Sequence, residues 1–290
     1  MAAPIDEQAP AKVNLSLRVL GRRPDGYHEL ESLVVFAAFG DRLTLHPGEA
    51  FALTMTGPFA AALTSDNLVA TAVRRAQLAD PHLRIGAFHL EKNLPVAAGL
   101  GGGSSDAAAA LRALRRANPG SAMAFDWTAL AAGLGADVSA CLSGRPALMR
   151  GIGERLDFVA RLPEAAMVLV NPRLPLGAGD VFRALGAEPL RASAVSHAPP
   201  PAFAGFHDLV AYLQSSANDL ETPAKALCPE IVRVEAALAS QPAARLVRMS
   251  GSGPTCFALF ASLTEADAAA AVIARHESGW WVRAMEVATV

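Results

Sequence analysis

The residues best suited to chemistry lie in Leu94–Leu114, which reads L-P-V-A-A-G-L-G-G-G-S-S-D-A-A-A-A-L-R-A-L. Gly99, Gly101, Gly102 and Gly103 run into Ser104, Ser105 and Asp106, and strong helix formers follow. Glycine opens backbone angles closed to other residues and lets a ligand approach the main chain. Ala107, Ala110, Leu111 and Leu114 then recur at helical spacing, Arg112, Arg115 and Arg116 fall near the end, and Asn118-Pro119-Gly120 stops the run. Such a loop presents unpaired N–H groups and partial positive charge at a helix start, which suits phosphate. The serines offer hydroxyls, or a magnesium contact, where phosphates would sit. Two familiar phosphate loops are excluded. A P-loop ends in Gly-Lys-Ser/Thr, and no lysine occurs between Lys92 and Asp106; the dinucleotide pattern G-x-G-x-x-G has Ser104 where its last glycine belongs.

Four other stretches carry candidate chemistry, and each alone has an ordinary structural explanation. Lys12 and Asn14, in A-P-A-K-V-N, could be solvated residues on a strand's wet face. Asp137, in G-L-G-A-D, could cap the next helical segment. D-G-Y-H at residues 25–28 reads as a turn, and S-G-S-G-P at 250–254 as a tight hairpin.

The elements needed to position these residues alternate irregularly along the chain, which favours an α+β fold over a doubly wound sheet. The period of two over Ala11–Leu20 marks a strand whose wet face holds Lys12 and Asn14. Leu30–Phe39, Asp41–His46, Phe51–Thr56 and Ile85–Lys92 read as strands, the last leading into the glycine loop. Asn67–Leu78 reads as a helix capped by Ser65 or Asp66, and Trp127–Ala132 as one capped by Asp126. Ala136–Gly144 is a short further segment, Ala147–Arg150 and Ala165–Asn171 are strands, and the proline-rich Glu188–Gly205 is a surface excursion. Leu220–Ser240 is mostly helical, Leu246–Met249 and Cys256–Phe260 are strands, Thr264 and Asp267 form a capping box before a helix to His276, and Trp280–Val287 closes the chain as a strand.

Composition narrows the class. A chain of 290 residues with a formal net charge of −2 carries no basic excess, which argues against a dedicated nucleic-acid binder. Its three cysteines show no metal spacing, its start lacks an apolar signal-like run, and no stretch is long and apolar enough to span a membrane. A soluble, cytoplasmic protein is expected, with no nucleic-acid, membrane or obligate protein partner.

Taken in order, A-P-A-K-V-N-L-S-L, R-P-D-G-Y-H-E-L, G-L-G-G-G-S-S-D-A-A, G-L-G-A-D-V and the late S-G-S-G-P resemble the motifs of the GHMP kinases. The match spans most of the chain and is closest to the branch acting on a cytidine-diphosphate-linked methylerythritol in non-mevalonate isoprenoid biosynthesis. The resemblance implies an α+β, two-domain GHMP kinase fold: a ribosomal-protein-like N-terminal domain over residues 1–155 and a GHMP C-terminal domain over 156–290. It implies ATP as phosphoryl donor, with Mg2+, and phosphorylation of the substrate's 2-hydroxyl. Pro95, Val96, Ala97, Ala98, Gly99, Leu100, Gly101, Gly102, Gly103, Ser104 and Ser105 match the positions that wrap the ATP phosphates, and Asn67 and Leu68 the edge of the adenine pocket. Asp137 matches the general base and Lys12 its electrostatic partner. Asn14 matches a position near the acceptor, Tyr27 and His28 those that hold the cytosine ring by stacking and hydrogen bonding, and Phe182 one closing its other face. The chain departs from the family in Ser139-Ala140-Cys141, where a Pro-Phe-Phe run is common, and in Gly177-Ala178-Gly179, where Ser-Thr is usual. It also shows no dedicated magnesium glutamate. A homoserine- or mevalonate-type kinase, a non-catalytic nucleotide sensor and a dinucleotide-dependent oxidoreductase are the competing readings. The last is weakened by the failed glycine pattern.

Overall fold

The structure is a computed structural model and describes residues 3–48, 50–63, 67–120, 126–191 and 198–288. Its contacts divide the chain into two compact units, each assembled from separated segments. The first holds the chain through Ala11, Phe39–Val96 and Gly101–Gly144; the second holds Lys12–Ala38, Ala97–Leu100 and the chain from Arg145 onward.

Two long strands feed both units. β1 (Ile5–Asn14) begins within the expected N-terminal tail, and β3 (His28–Gly48) runs unbroken through the two strands expected at 30–39 and 41–46. In the first unit the later half of β3 pairs antiparallel with β5 (Ile85–Glu91), and β4 (Ala52–Thr56) adds to β5 in parallel. Two helices, α1 (Leu68–Ala79) and α2 (Gly102–Ala117), pack on each other, and α3 (Trp127–Leu134) and α4 (Ala136–Ser143) complete this unit. α2 is buried from Ser105 through Leu111, because its run of alanines lets neighbouring backbones approach closely. Its basic end is tied down: Arg112 and Arg116 each bond Glu7 of β1, at 2.8 and 2.9 Å.

Caps decide several helix ends. Asp126 accepts from the N–H groups of Thr128 and Ala129, as its type and position predict. α1 is capped by Asn67, whose Oδ1 accepts from the Ala70 N–H at 3.1 Å; Ser65 and Asp66 lie outside the described residues.

In the second unit β2 (Arg18–Arg22) and β6 (Ala147–Gly151) pair with the first half of β3, and β7 (Arg155–Phe158) pairs with β6. A separate antiparallel sheet has the order β11 (Trp281–Glu286), β8 (Ala166–Asn171), β10 (Cys256–Phe260), β9 (Leu246–Met249). Its inner face, with Val168, Val170, Ala258 and Phe260, forms one core with Ile231, Val234, Leu238 and Ile273 from helices α8 (Glu230–Ala239) and α9 (Leu263–His276). The helical stretch expected at 220–240 is two helices, α7 (Glu221–Leu227) and α8, broken at Cys228-Pro229 because proline cannot donate its backbone N–H. The cap of α9 is Ser262 with Glu265 rather than Thr264 with Asp267: Ser262 accepts from the Glu265 N–H, and Glu265 from the Ala261 N–H. Helices α5 (Ala178–Leu185) and α6 (Phe206–Gln214) and strand β7 were not expected from the sequence. Among the described residues no helix is long and apolar enough to cross a membrane.

Candidate active site

In the second unit three distant segments meet at the apex of the glycine loop. The Lys12 N–H donates to the Leu100 carbonyl at 2.9 Å, and the Thr255 N–H to the Ala98 carbonyl at 3.3 Å. Ser250 links the other two: it accepts from the Asn14 N–H at 3.1 Å and donates its hydroxyl to the Gly99 carbonyl at 3.0 Å. Glycine is obligatory here. Gly99 has φ +72°, and a Cβ on it would lie 2.4 Å from the Ser250 carbonyl oxygen. Opposite it, Gly251 has φ +56°, and its Cβ would sit 3.1 Å from both Asn14 Oδ1 and the Gly99 carbonyl.

The period-two reading put Lys12 and Asn14 on one face of β1, and they share it: Lys12 Nζ donates to Asn14 Oδ1 at 2.8 Å. That face is not wet. Lys12 and Asn14 are each only 4% exposed, because the other segments cover the strand on that side as well. Asn14 passes the chain of bonds on to the Ser32 hydroxyl at 2.7 Å, and Ser32 donates to the Ser16 carbonyl.

The second unit also holds a cavity of about 700 Å³ lined by Tyr27, His28, Leu30, Ile152 and Phe182. Tyr27 is 60% exposed at its rim, presenting a free aromatic face. His28 and Phe182 stack with ring centroids 4.9 Å apart. Burial, reinforced by the charge of Arg22, holds the His28 imidazole below its ordinary pKa, so at neutral pH the ring is uncharged and can both donate and accept a hydrogen bond. α5 starts at Gly177 without a side-chain cap, and Gly179 contributes a bare stretch of cavity wall.

The first unit carries the helix that follows the loop. Gly101, at φ +61°, is the N-cap of α2, and the N–H groups of Gly102, Gly103 and Ser104 open its first turn, where no intrahelical acceptor exists. A Cβ on Gly103 would meet Leu68 Cδ1 at 3.6 Å, which brings the start of α1 against the start of α2. Ser105 is fully buried and donates to the Pro10 carbonyl at 2.7 Å; its hydroxyl anchors the helix to β1, leaving half-buried Ser104 as the more accessible hydroxyl. Asp137 lies half-buried in the first turn of α4, whose N-cap is Gly135, so it does not take the capping position. The helix start favours its negative charge.

Sequence reasoning missed one cluster in this unit. Lys92, Asp41 and Asp106 are all buried, with Lys92 Nζ 2.5 Å from Asp41 and 2.6 Å from Asp106. Burial and the neighbouring Asp41 push the Asp106 carboxyl up to about 8 against the pull of Lys92. Only the placement of Lys92 just before the loop and of Asp106 just after it could have hinted at this; Asp41 gives no local signal.

The GHMP kinases N terminal domain model matches residues 67–145, and the GHMP kinases C terminal model matches residues 201–278. A homoserine kinase structure from Cytophaga hutchinsonii superposes with TM-score 0.69 at 17% identity, over 100% of this chain and 98% of that one, a likeness of fold. The chain thus has the α+β architecture of the GHMP kinases, with the N-terminal and C-terminal family domains in sequence order. A 4-diphosphocytidyl-2-C-methyl-D-erythritol kinase from Bradyrhizobium sp. strain BTAi1 is 50% identical over 97% of this chain and 96% of its own length. A crystal structure of 4-(cytidine 5'-diphospho)-2C-methyl-D-erythritol kinase matches with TM-score 0.77 and 35% identity over 98% of this chain and 99% of that one. The chain belongs to the 4-diphosphocytidyl-2-C-methyl-D-erythritol kinase family.

Proposed function

We propose that the protein transfers the γ-phosphoryl group of ATP to the 2-hydroxyl of 4-diphosphocytidyl-2-C-methyl-D-erythritol. The observation that carries this reading is the joining of Lys12, the glycine-loop apex and Ser250 by direct hydrogen bonds, within a chain half identical to kinases of that name. Three motifs that mean little singly are joined by direct hydrogen bonds, which supports reading them together as a frame for phosphate.

In this mechanism the loop Pro95–Gly101 and the first turn of α2 bind the ATP phosphates through backbone N–H groups, with Ser104 adding its hydroxyl. Asn67 and Leu68 border the adenine. Asp137 accepts the proton of the acceptor hydroxyl as that oxygen bonds to the γ-phosphorus and ADP departs. Lys12, held on the Asn14 amide, stabilises the charge that develops on the transferred group. Asn14 borders the acceptor. Tyr27, His28 and Phe182 hold the cytosine, Tyr27 by stacking and His28 through its uncharged ring. Mg2+ would enter on the phosphates: no group of three acidic, histidine or cysteine side chains among the described residues could hold an ion, and Ser104 offers the protein's contact. The domain division at 155 and a cytoplasmic location belong to the same reading.

Homoserine- and mevalonate-type acceptors are the runners-up, and the aromatic cavity favours the cytidine-linked substrate over both. Turnover of each acceptor with ATP is the deciding test. The cavity also makes a prediction of its own. Tyr27→Ala is expected to raise the KM of the cytidine-linked alcohol roughly 5- to 150-fold, the equivalent of a stacking contribution of about 1–3 kcal/mol, with little change in the KM of ATP. Equal changes in both constants count against the cytosine role.

A further inference from the structure

Within the first unit, one lysine links both ends of the glycine loop through two buried carboxyl groups, Asp41 and Asp106. Asp41, bonded to Lys92, uses its other oxygen to accept from the backbone N–H groups of Asn93, at 2.5 Å, and Leu94, at 2.8 Å, the two residues that lead into the loop. Asp106, the other partner of Lys92, lies in the opening turns of α2, where the loop ends. The ammonium is also pressed against the first residue of that helix: a Cβ on Gly102 would lie 3.1 Å from Lys92 Nζ. Asp106 Oδ1 has no hydrogen-bond partner among the described residues although it is buried.

We propose that the buried triad Asp41–Lys92–Asp106 is a positioning device that sets the distance between the start of the glycine loop and the α2 N-terminus, and so the spacing of the N–H groups offered to the nucleotide. None of the three side chains contacts substrate in this scheme; they act through the backbone. Two observations favour positioning over plain fold stabilisation. A buried ion pair gains little net stability, because desolvating its charges offsets their attraction. Both arms also end on the flanks of the same loop rather than on the distant core. The inference rests on the reading of that loop as the ATP-phosphate loop.

The test is the ATP dissociation constant, measured by calorimetry, alongside steady-state constants for both substrates. Asp106→Ala removes one arm, and a lost buried, charged hydrogen bond corresponds to about tenfold or more weaker ATP binding, with the KM of the alcohol within about twofold. Asp106→Asn keeps an oxygen for Lys92 and the same volume, and is expected to recover most of the loss. If Asp106→Ala does not fold, Lys92→Met is read in the same way. Unchanged ATP affinity in a folded variant overturns the proposal, as do equal losses for both substrates or failure of both variants to fold. Wild-type turnover separates the two readings. A wild type that binds ATP but phosphorylates none of the acceptors refutes the proposed function, while the effect of Asp106→Ala on ATP affinity still judges the triad.

Discussion

Asp137→Asn is expected to bind ATP and the alcohol almost as the wild type does and to lose most of its turnover. The substitution keeps shape and hydrogen-bonding capacity but cannot take a proton. General-base assistance is worth about 10²- to 10⁴-fold, so kcat should fall by that factor while both KM values stay within a few-fold. The half-buried position in the first turn of α4 makes this a clean substitution: the N-cap is Gly135, so no cap is lost, and the helix continues through buried Val138, Ala140 and Cys141. Near-normal kcat in the folded variant would remove Asp137 from the mechanism and leave positioning by the loop as the main source of catalysis.

Gly99→Ala should be the most damaging single-carbon addition in the proposed phosphate frame. Its Cβ would lie 2.4 Å from the Ser250 carbonyl oxygen and 2.9 Å from the Gly253 nitrogen, both backbone atoms that no rotamer change can move aside. The left-handed backbone adds about 1–2 kcal/mol for any L side chain. Relief requires the loop apex to draw back from the Ser250 segment, which breaks the bond from the Ser250 hydroxyl to the Gly99 carbonyl. The expected result is at least a tenfold loss in kcat/KM for ATP, about 1.4 kcal/mol, with the fold retained. Gly144→Ala is the matched control. Its φ of +62° carries the same backbone penalty, but nothing lies within 4 Å of the added carbon, so a small drop in Tm with unchanged activity is expected. Equal behaviour of the two variants would show that backbone strain alone, and not the collision with Ser250, governs the loop.

Local signals made part of this molecule legible before its structure. Strand, glycine loop and helix from Ile85 to Ala117 follow from alternation, glycine content and alanine-rich periodicity. Asp126 was readable as a cap because capping is decided within three residues. Whatever depends on distant partners was not readable. Lys12 and Asn14 looked solvated because alternation reports that two residues share a face, and cannot report that segments near residues 100 and 250 cover that face. The stack of His28 on Phe182 joins residues separated by more than half the chain's length, with no spacing to mark it. The Ser262 cap was missed because Thr264 and Asp267 offer the same pattern two residues later, and only the observed start of α9 distinguishes them. The glycine pattern predicts a phosphate loop, and the three-way junction at Gly99 shows why Gly99 and Gly251 cannot be replaced.

On the proposed function, this frame serves phosphoryl transfer to one particular alcohol. Its most direct test is kcat/KM for the purified chain with ATP and each of three acceptors: 4-diphosphocytidyl-2-C-methyl-D-erythritol, homoserine and mevalonate. Turnover of the first is expected, with the new phosphate on its 2-hydroxyl, and negligible turnover of the other two. Comparable or faster phosphorylation of homoserine or mevalonate would contradict it.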